Sequence, residues 1–254
     1  MTASTAVSGP KTALSADRPT YRQACGACSG CTVRRMAVCA ALADDEVAEM
    51  ERVMSSFTLE PNQALVEEGD PKRRVFTLTS GMLRLSLMLP DGRRQITGFL
   101  MPGDYLGLSD DEVYSQTAEA VMPSVLCGFA TADMDKLMER YGRLKDRLHL
   151  MTRRALRQAR ESQMILGRLA PSEKVASFLL VMSARAAEHG QPESPVHLPM
   201  TRTDIADFLG LTVETVSRTF TKLKTQGLIR LPDPHSVEIV DKRLLAAVAG
   251  NVAY

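Results

Sequence analysis

The sequence predicts an α+β chain: an N-terminal antiparallel β-roll, a long helix, and a C-terminal helix-turn-helix with a wing. Three observations carry that expectation. Between residues 57 and 129 the chain runs in short alternating segments broken by glycines. The clearest, Leu83-Arg84-Leu85-Ser86-Leu87-Met88-Leu89, places Leu at every second position, the period of a half-buried strand. After Thr131 the apolar period becomes helical and holds through Leu169. Finally, Thr203 to Arg218 reads as a helix, a glycine turn and a second helix.

Composition bounds the function. At 254 residues, 44% hydrophobic and 24% charged, the chain is an ordinary globular one, long enough for two modest domains. Trp is absent and aromatics make up 5%, which argues against a base-stacking surface for single-stranded nucleic acid. A net charge of +1 leaves any basic patch local. No apolar run approaches bilayer-spanning length, and Met1 to Thr20 has no apolar core of a secretory signal. The expected location is cytoplasmic, with no membrane partner. In that reducing compartment five cysteines are expected as metal ligands or redox groups rather than as disulfides.

Residues 1–22 are rich in Thr, Ser, Ala and Pro without an apolar period and are expected to be disordered. The segment 23–41 holds Cys25, Cys28, Cys31 and Cys39; the fifth cysteine, Cys127, stands alone. Gly and Ser between the first three let the backbone fold tightly and aim several sulfurs at one point. An iron–sulfur cluster closed by Cys127 is the reading preferred; a structural zinc site could use the same four thiols. Cys25-x-x-Cys28-x-x-Cys31 opens like a ferredoxin run, but the expected Cys-Pro three residues later is missing.

Residues 42–131 are read as the roll, starting with a short acidic helix over Leu42 to Met54. Its turns fall at Gly69-Asp70, Ser80-Gly81, Asp91-Gly92 and Gly103-Asp104, and a jelly roll is one option. In the helix expected over 132–169, Leu137, Tyr141, Leu144, Leu148, Met151 and Ala155, then Ile165 and Leu169, recur in steps of four and three, with polar Gln158 and Ser162 filling the register between, a heptad seam. A parallel copy of itself is the simplest partner, so a homodimer is expected. Leu144, Leu148, Met151, Ala155, Glu161 and Ile165 are assigned to its interface. Polar Gln158 and Ser162, with Glu161 near its symmetry mate, would keep that pairing marginal.

The last module, 171–254, begins with Pro171 at the favoured first position of a helix. In the helix-turn-helix, Gly210 can end the first helix and Thr212 can cap the second, with Glu214 in its first turn. Val216, Phe220 and Leu223 share the face to be buried. Glu214, Arg218 and Thr221 point away, with Ser217 at the border. Arg can chelate guanine O6 and N7, Glu can accept from cytosine N4, and Ser suits either; Lys222 and Lys224 reach phosphates. The partner implied is double-stranded DNA. Leu228 to Leu231, Pro-Asp-Pro-His and Ser236 to Val240 supply the wing. His149, His189, His197 and His235 are scattered and no nucleophile motif or phosphate loop occurs, so no enzyme is expected.

These segments together resemble the CRP/FNR family of transcription factors, and its FNR branch most. The resemblance runs from Cys28 to Gly250 through Glu68-Gly69-Asp70, Gln95-Ile96-Thr97-Gly98-Phe99, Pro102-Gly103-Asp104 and Leu209-Gly210-Leu211-Thr212-Val213-Glu214-Thr215-Val216-Ser217-Arg218. It implies a roll like the cyclic-nucleotide-binding jelly roll and a 4Fe-4S cluster on Cys28, Cys31, Cys39 and Cys127, with Cys25 surplus. It further implies that Glu214, Ser217 and Arg218 read palindromic TTGAT-like half-sites; Thr212, Thr221 and Lys222 are assigned to the same interface from their places on the second helix. Oxygen would be the signal, with nitric oxide or a thiol oxidant as the alternative. RNA polymerase would meet the loop Pro90-Asp91-Gly92. One stretch departs: cAMP-binding relatives hold the cyclic phosphate with an Arg-Ser pair and a Glu, whereas Gly107 to Thr117 here is acidic and has no Arg. A phosphate would meet repulsion without a bidentate partner, so no cyclic nucleotide is expected.

Overall fold

The computed structural model describes residues 20–22, 28–108 and 112–250. Its central strands alternate, so each serves two apolar layers at once. In β4 (Arg74–Ser80), Phe76 and Leu78 enter the core of the roll while Val75 and Thr77 fall on the outer face. In its antiparallel neighbour β9 (Ser124–Ala130), Leu126 points in and Cys127 and Phe129 point out. These two strands are the middle of a five-stranded sheet ordered β1 (Thr20–Arg22), β2 (Met54–Leu59), β9, β4, β7 (Tyr105–Leu106). The facing sheet is ordered β3 (Ala64–Val66), β8 (Thr117–Ala120), β5 (Leu83–Met88), β6 (Arg94–Leu100). Between the sheets the rings of Phe57 and Phe76 meet edge-on with centroids 5.2 Å apart. A Cβ on Gly128 would stand 2.4 Å from the Phe57 ring, so this position beside Cys127 requires glycine.

The outer layer joins Val75, Tyr105 and Phe129 to the helices α1 (Asp44–Val53), α2 (Thr131–Arg140) and the start of α3 (Gly142–Arg168). Val38, Leu42, Val47, Met50, Met134, Leu137 and Leu144 complete it.

The C-terminal module holds α4 (Pro171–Glu188), α5 (Arg202–Leu209), α6 (Val213–Thr225) and α7 (Lys242–Val248). Its wing is a three-stranded sheet, β10 (Val196–His197), β12 (Ser236–Ile239), β11 (Ile229–Asp233). The module is docked on the roll: Met82, Ile96, Phe99 and Met101 share one cluster with Phe178, Ile205 and Leu209. Polar contacts ring that cluster. Asp204, its side chain 2% exposed, accepts from Arg84 at 3.3 Å and Arg94 at 2.7 Å. Arg94 also pairs with Asp207 at 2.8 Å, and Gln95 Nε2 donates to the Asp207 carbonyl at 2.7 Å. From α4, Arg185 donates to the Phe99 carbonyl at 2.7 Å and pairs with Asp104.

The architecture is the α+β one expected, with three local corrections. The helix expected over 132–169 is two helices: Tyr141, at φ −118° and ψ 85°, leaves the helical region and α3 restarts at Gly142. Glycine disfavours helix, so the break falls where continuation is weakest. On β5, Arg84 and Ser86 are buried, because the docked module covers the face expected to meet solvent. Residues 20–22, expected within a disordered start, instead pair with β2 from Thr20↔Thr58 to Arg22↔Ser56, as Thr and Tyr favour. Residues 1–19 and Cys25 lie outside the described residues, as do Ser109 to Asp111 of the acidic stretch.

Candidate functional site

The cysteines predicted as ligands come from two parts of the fold. Cys28 opens one 3-10 turn (Cys28–Gly30) and Cys39 lies in another (Val38–Ala41). Between them the Cys31 N–H donates to the Cys28 carbonyl at 3.2 Å and the Arg34 N–H to the Cys31 carbonyl at 3.3 Å, so the segment winds tightly. An ion pair of Arg34 with Asp44 at 2.6 Å ties it to α1. Cys127 comes from the outward face of β9, and Cys28, Cys39 and Cys127 all pack against the outer apolar layer. Cys31 borders an open cleft of about 610 Å³ with Gly30, Arg34, Arg35 and Asp44. All four residues carry thiols rather than disulfides.

Burial, reinforced by Cys31 and Cys28, pushes the Cys39 thiol up to about 11. Burial, Glu51 and Cys31 raise Cys28. Sulfurs near enough to repel one another as thiolates ionise together only around a cationic centre. Among the described residues, no three or more His, Cys, Asp or Glu side chains are arranged to hold a single metal ion. One zinc would draw its sulfurs to within about 4 Å of each other, given Zn–S bonds of about 2.3 Å. A 4Fe–4S cluster takes one thiolate at each iron and spreads them wider.

Two orphaned donors support the fit to such a cluster. Four buried side-chain polar atoms lack a partner among the described residues, and two of them belong to this site: Thr77 Oγ1 and Arg147 Nε. Thr77 is the cross-strand neighbour of Cys127, and Arg147 is near enough to Cys39 for their charges to interact. Arg147, on α3, also donates to the Met36 carbonyl inside the cysteine segment.

The second site is the exposed face of α6. Gly210, at φ 61° and ψ 44°, ends α5 in the left-handed conformation, and Thr212 Oγ1 accepts from the Thr215 N–H at 3.2 Å to start α6. Val216, Phe220 and Leu223 are buried, which turns Glu214, Ser217, Arg218, Thr221 and Lys222 outward with Thr212 at the helix start. Hydrogen bonds from its own backbone and from Thr212, with Arg218 nearby, hold the Glu214 carboxyl below its usual value. It is therefore an ionised acceptor at neutral pH.

The helix α3 divides the residues assigned to pairing. Leu144 is fully buried in the outer layer and Ile165 is buried against the C-terminal module, while Leu148, Met151, Ala155 and Glu161 are partly exposed. Leu150, Leu156, Met164 and Leu166 remain 37–52% exposed on the same helix. These four lie off the heptad stripe, and the period alone does not say which face the chain covers itself.

Residues 56–141 match the cyclic nucleotide-binding domain model and residues 173–248 the Crp-like helix-turn-helix domain model. The nitrogen fixation regulation protein FixK of Bradyrhizobium diazoefficiens is 40% identical over 204 residues, 80% of this chain and 86% of that one. The chain belongs to the CRP/FNR family. Another relative, the transcriptional activator protein FnrL of Cereibacter sphaeroides, is 33% identical over 88% of this chain and 92% of its own. The solved structure of FixK2 from Bradyrhizobium japonicum superposes with a TM-score of 0.72 at 32% identity, covering 77% of this chain and 97% of that one. As a CRP/FNR protein the chain is a transcription regulator, not an enzyme, and binds DNA through its helix-turn-helix. Among the described residues no helix is long and apolar enough to cross a membrane.

Proposed function

We propose that this CRP/FNR protein is an oxygen-responsive transcription regulator. It works as a homodimer on palindromic promoter sites with TTGAT-like halves, with a 4Fe–4S cluster on Cys28, Cys31, Cys39 and Cys127. The observation that carries the reading is the shared outer layer: Cys28, Cys39 and Cys127 pack on the same apolar cluster as Leu144, Leu148 and Met151 of α3. A bound 4Fe–4S cluster supplies an oxygen-labile centre that joins the four sulfurs only while it is intact.

The chain's own residues do the rest. Cys127 presents its sulfur from β9 to the layer on which the cysteine segment packs, and Arg147 ties that segment to α3. The cleft at Cys31 admits small molecules to that side of the segment. Once the sulfurs lose their common anchor, the Cys28–Gly30 turn is free to leave the outer apolar layer. Leu144, Leu148 and Met151 then lose part of their cover, and α3 with its exposed Leu150, Leu156, Met164 and Leu166 no longer holds its pairing geometry. The signal can shift the dimer equilibrium only by its differential binding free energy, so a marginal pairing suits the task.

On DNA, Arg218 chelates guanine, ionised Glu214 accepts from cytosine, and Ser217, Thr212, Thr221 and Lys222 complete the contacts. Relatives named as transcriptional activators favour activation over repression. The hairpin tip Pro90-Asp91-Gly92, flanked by exposed Met88 and Leu89, is the surface offered to RNA polymerase. The acidic stretch 107–117, without Arg, favours no cyclic nucleotide in the roll.

The test is binding to a duplex carrying a TTGAT palindrome, with anaerobic and air-exposed protein side by side. Tight anaerobic binding that air abolishes is expected; equal binding in both would reject the oxygen response.

A further inference from the structure

The outer face of the five-stranded sheet places a row of residues in register across four strands: Ser56, Cys127, Thr77 and Tyr105. Cross-strand neighbours stand on the same side of a sheet with Cβ atoms about 4.5–5.5 Å apart. Thr77 is 4% exposed, and its Oγ1 is buried with no hydrogen-bond partner among the described residues. Burying a hydroxyl unpaired is unfavourable, so such a group calls for an acceptor, and a neighbouring sulfur becomes a strong one only when it is held as an anionic thiolate. Its strand position leaves few choices. Phe76 and Leu78 on either side face the roll interior, so Thr77 faces the layer where Cys28, Cys39 and Cys127 pack.

We infer that Thr77 is a positioning and tuning residue, whose hydroxyl donates to the sulfur of Cys127 or to a sulfide beside it when the site is loaded. The inference rests on the cluster reading above. A thiolate sulfur is an anionic acceptor, and hydrogen bonds to the sulfurs are among the factors that set a cluster's reduction potential. A donor to sulfur offsets negative charge on the reduced, electron-rich side and so makes loss of an electron to oxygen harder. Thr77 thereby sets how readily the site responds, without being a ligand.

The experiment compares wild-type protein with Thr77→Val, Thr77→Ala and Thr77→Ser, all purified without oxygen. Iron and acid-labile sulfide are measured first, then the rate of visible bleaching in air, then the melting temperature of each protein after iron removal. Val and Ala are expected to load iron as wild type does and to bleach about two- to tenfold faster, the effect of one lost hydrogen bond. Ser is expected to bleach at the wild-type rate. Iron-free Thr77→Val is expected to melt higher than iron-free wild type, because the orphaned hydroxyl is gone. Bleaching of fully loaded Val and Ala variants at the wild-type rate would overturn the inference and leave the cluster reading standing. Failure of both to load would equally overturn it, since a tuning group is not required for binding. Wild-type protein without iron and sulfide would bring down both.

Discussion

The guanidinium of Arg147 on α3 donates to the main-chain carbonyl of Met36, at the centre of the cysteine segment, across 111 residues of sequence. Burial lowers the Arg147 pKa, with Arg154 adding repulsion and Cys39 opposing. The helix that carries the exposed apolar side chains is thus fastened directly to the segment that carries three of the four thiols.

Replacing Arg147 with Ala removes a charge-assisted hydrogen bond, a loss of about 1.5–3 kcal/mol. The variant is expected to bind iron but to lose the coupling, with a monomer fraction by light scattering that no longer differs between anaerobic and air-exposed samples. A wild-type response in this variant would place the coupling elsewhere.

Asp204 accepts from Arg84 and Arg94 of the roll and caps α5 with Thr201, all within a nearly closed environment. Asp204→Ala removes the carboxylate shared by the two guanidinium groups but leaves Arg84 on Glu119 and Arg94 on Asp207, a loss of about 1.5–3 kcal/mol. The melting temperature is expected to fall and DNA affinity to drop with it, because α5 positions α6. Unchanged melting would show that the roll and the C-terminal module are held by their apolar contacts alone.

On the recognition helix, Arg218→Ala is expected to cost about 1–3 kcal/mol on the cognate palindrome and little on unrelated duplex. Lys222→Ala is expected to weaken all duplexes alike and to reduce the salt slope by about 1. Titrations on both duplexes at several salt concentrations separate the two roles.

Burial depresses the His189 imidazole below its usual 6.5; Arg185 acts the same way, while Asp104 and Glu188 oppose. Its Nδ1 is buried without a partner among the described residues. Below pH 6.5 the unfolded chain therefore binds this proton more readily than the folded one. The stability is fully present above 6.5 and is lost as pH falls through the depressed value. Thermal melts at several pH values are expected to fall less steeply on the acid side for His189→Gln than for wild type.

The local grammar of the chain was legible in advance. Gly210 and Thr212 announce the helix-turn-helix because a left-handed turn and a side-chain cap are set by neighbouring residues. Cys127 stands out as the lone cysteine of the roll, the family resemblance makes it the fourth ligand, and its place on the outward face of β9 follows from strand alternation. The docking of the C-terminal module on the roll was not legible. Arg84 and Asp204 lie 120 positions apart, and an ion pair at that separation leaves no periodic trace. The same limit explains α3: a heptad marks an apolar stripe, but only the folded chain shows that Leu144 and Ile165 are consumed internally. The orphaned Thr77 hydroxyl likewise appears only once β4 is laid beside β9.

The central claim is that thiols from both the cysteine segment and β9 hold one iron–sulfur centre, and the most direct measurement is metal and sulfide analysis. Protein purified without oxygen should contain iron and acid-labile sulfide in equal amounts, approaching four of each per chain, and Cys127→Ser should lose most of both. Wild-type material holding zinc or no metal, or a Cys127→Ser variant loaded like wild type, would contradict the account.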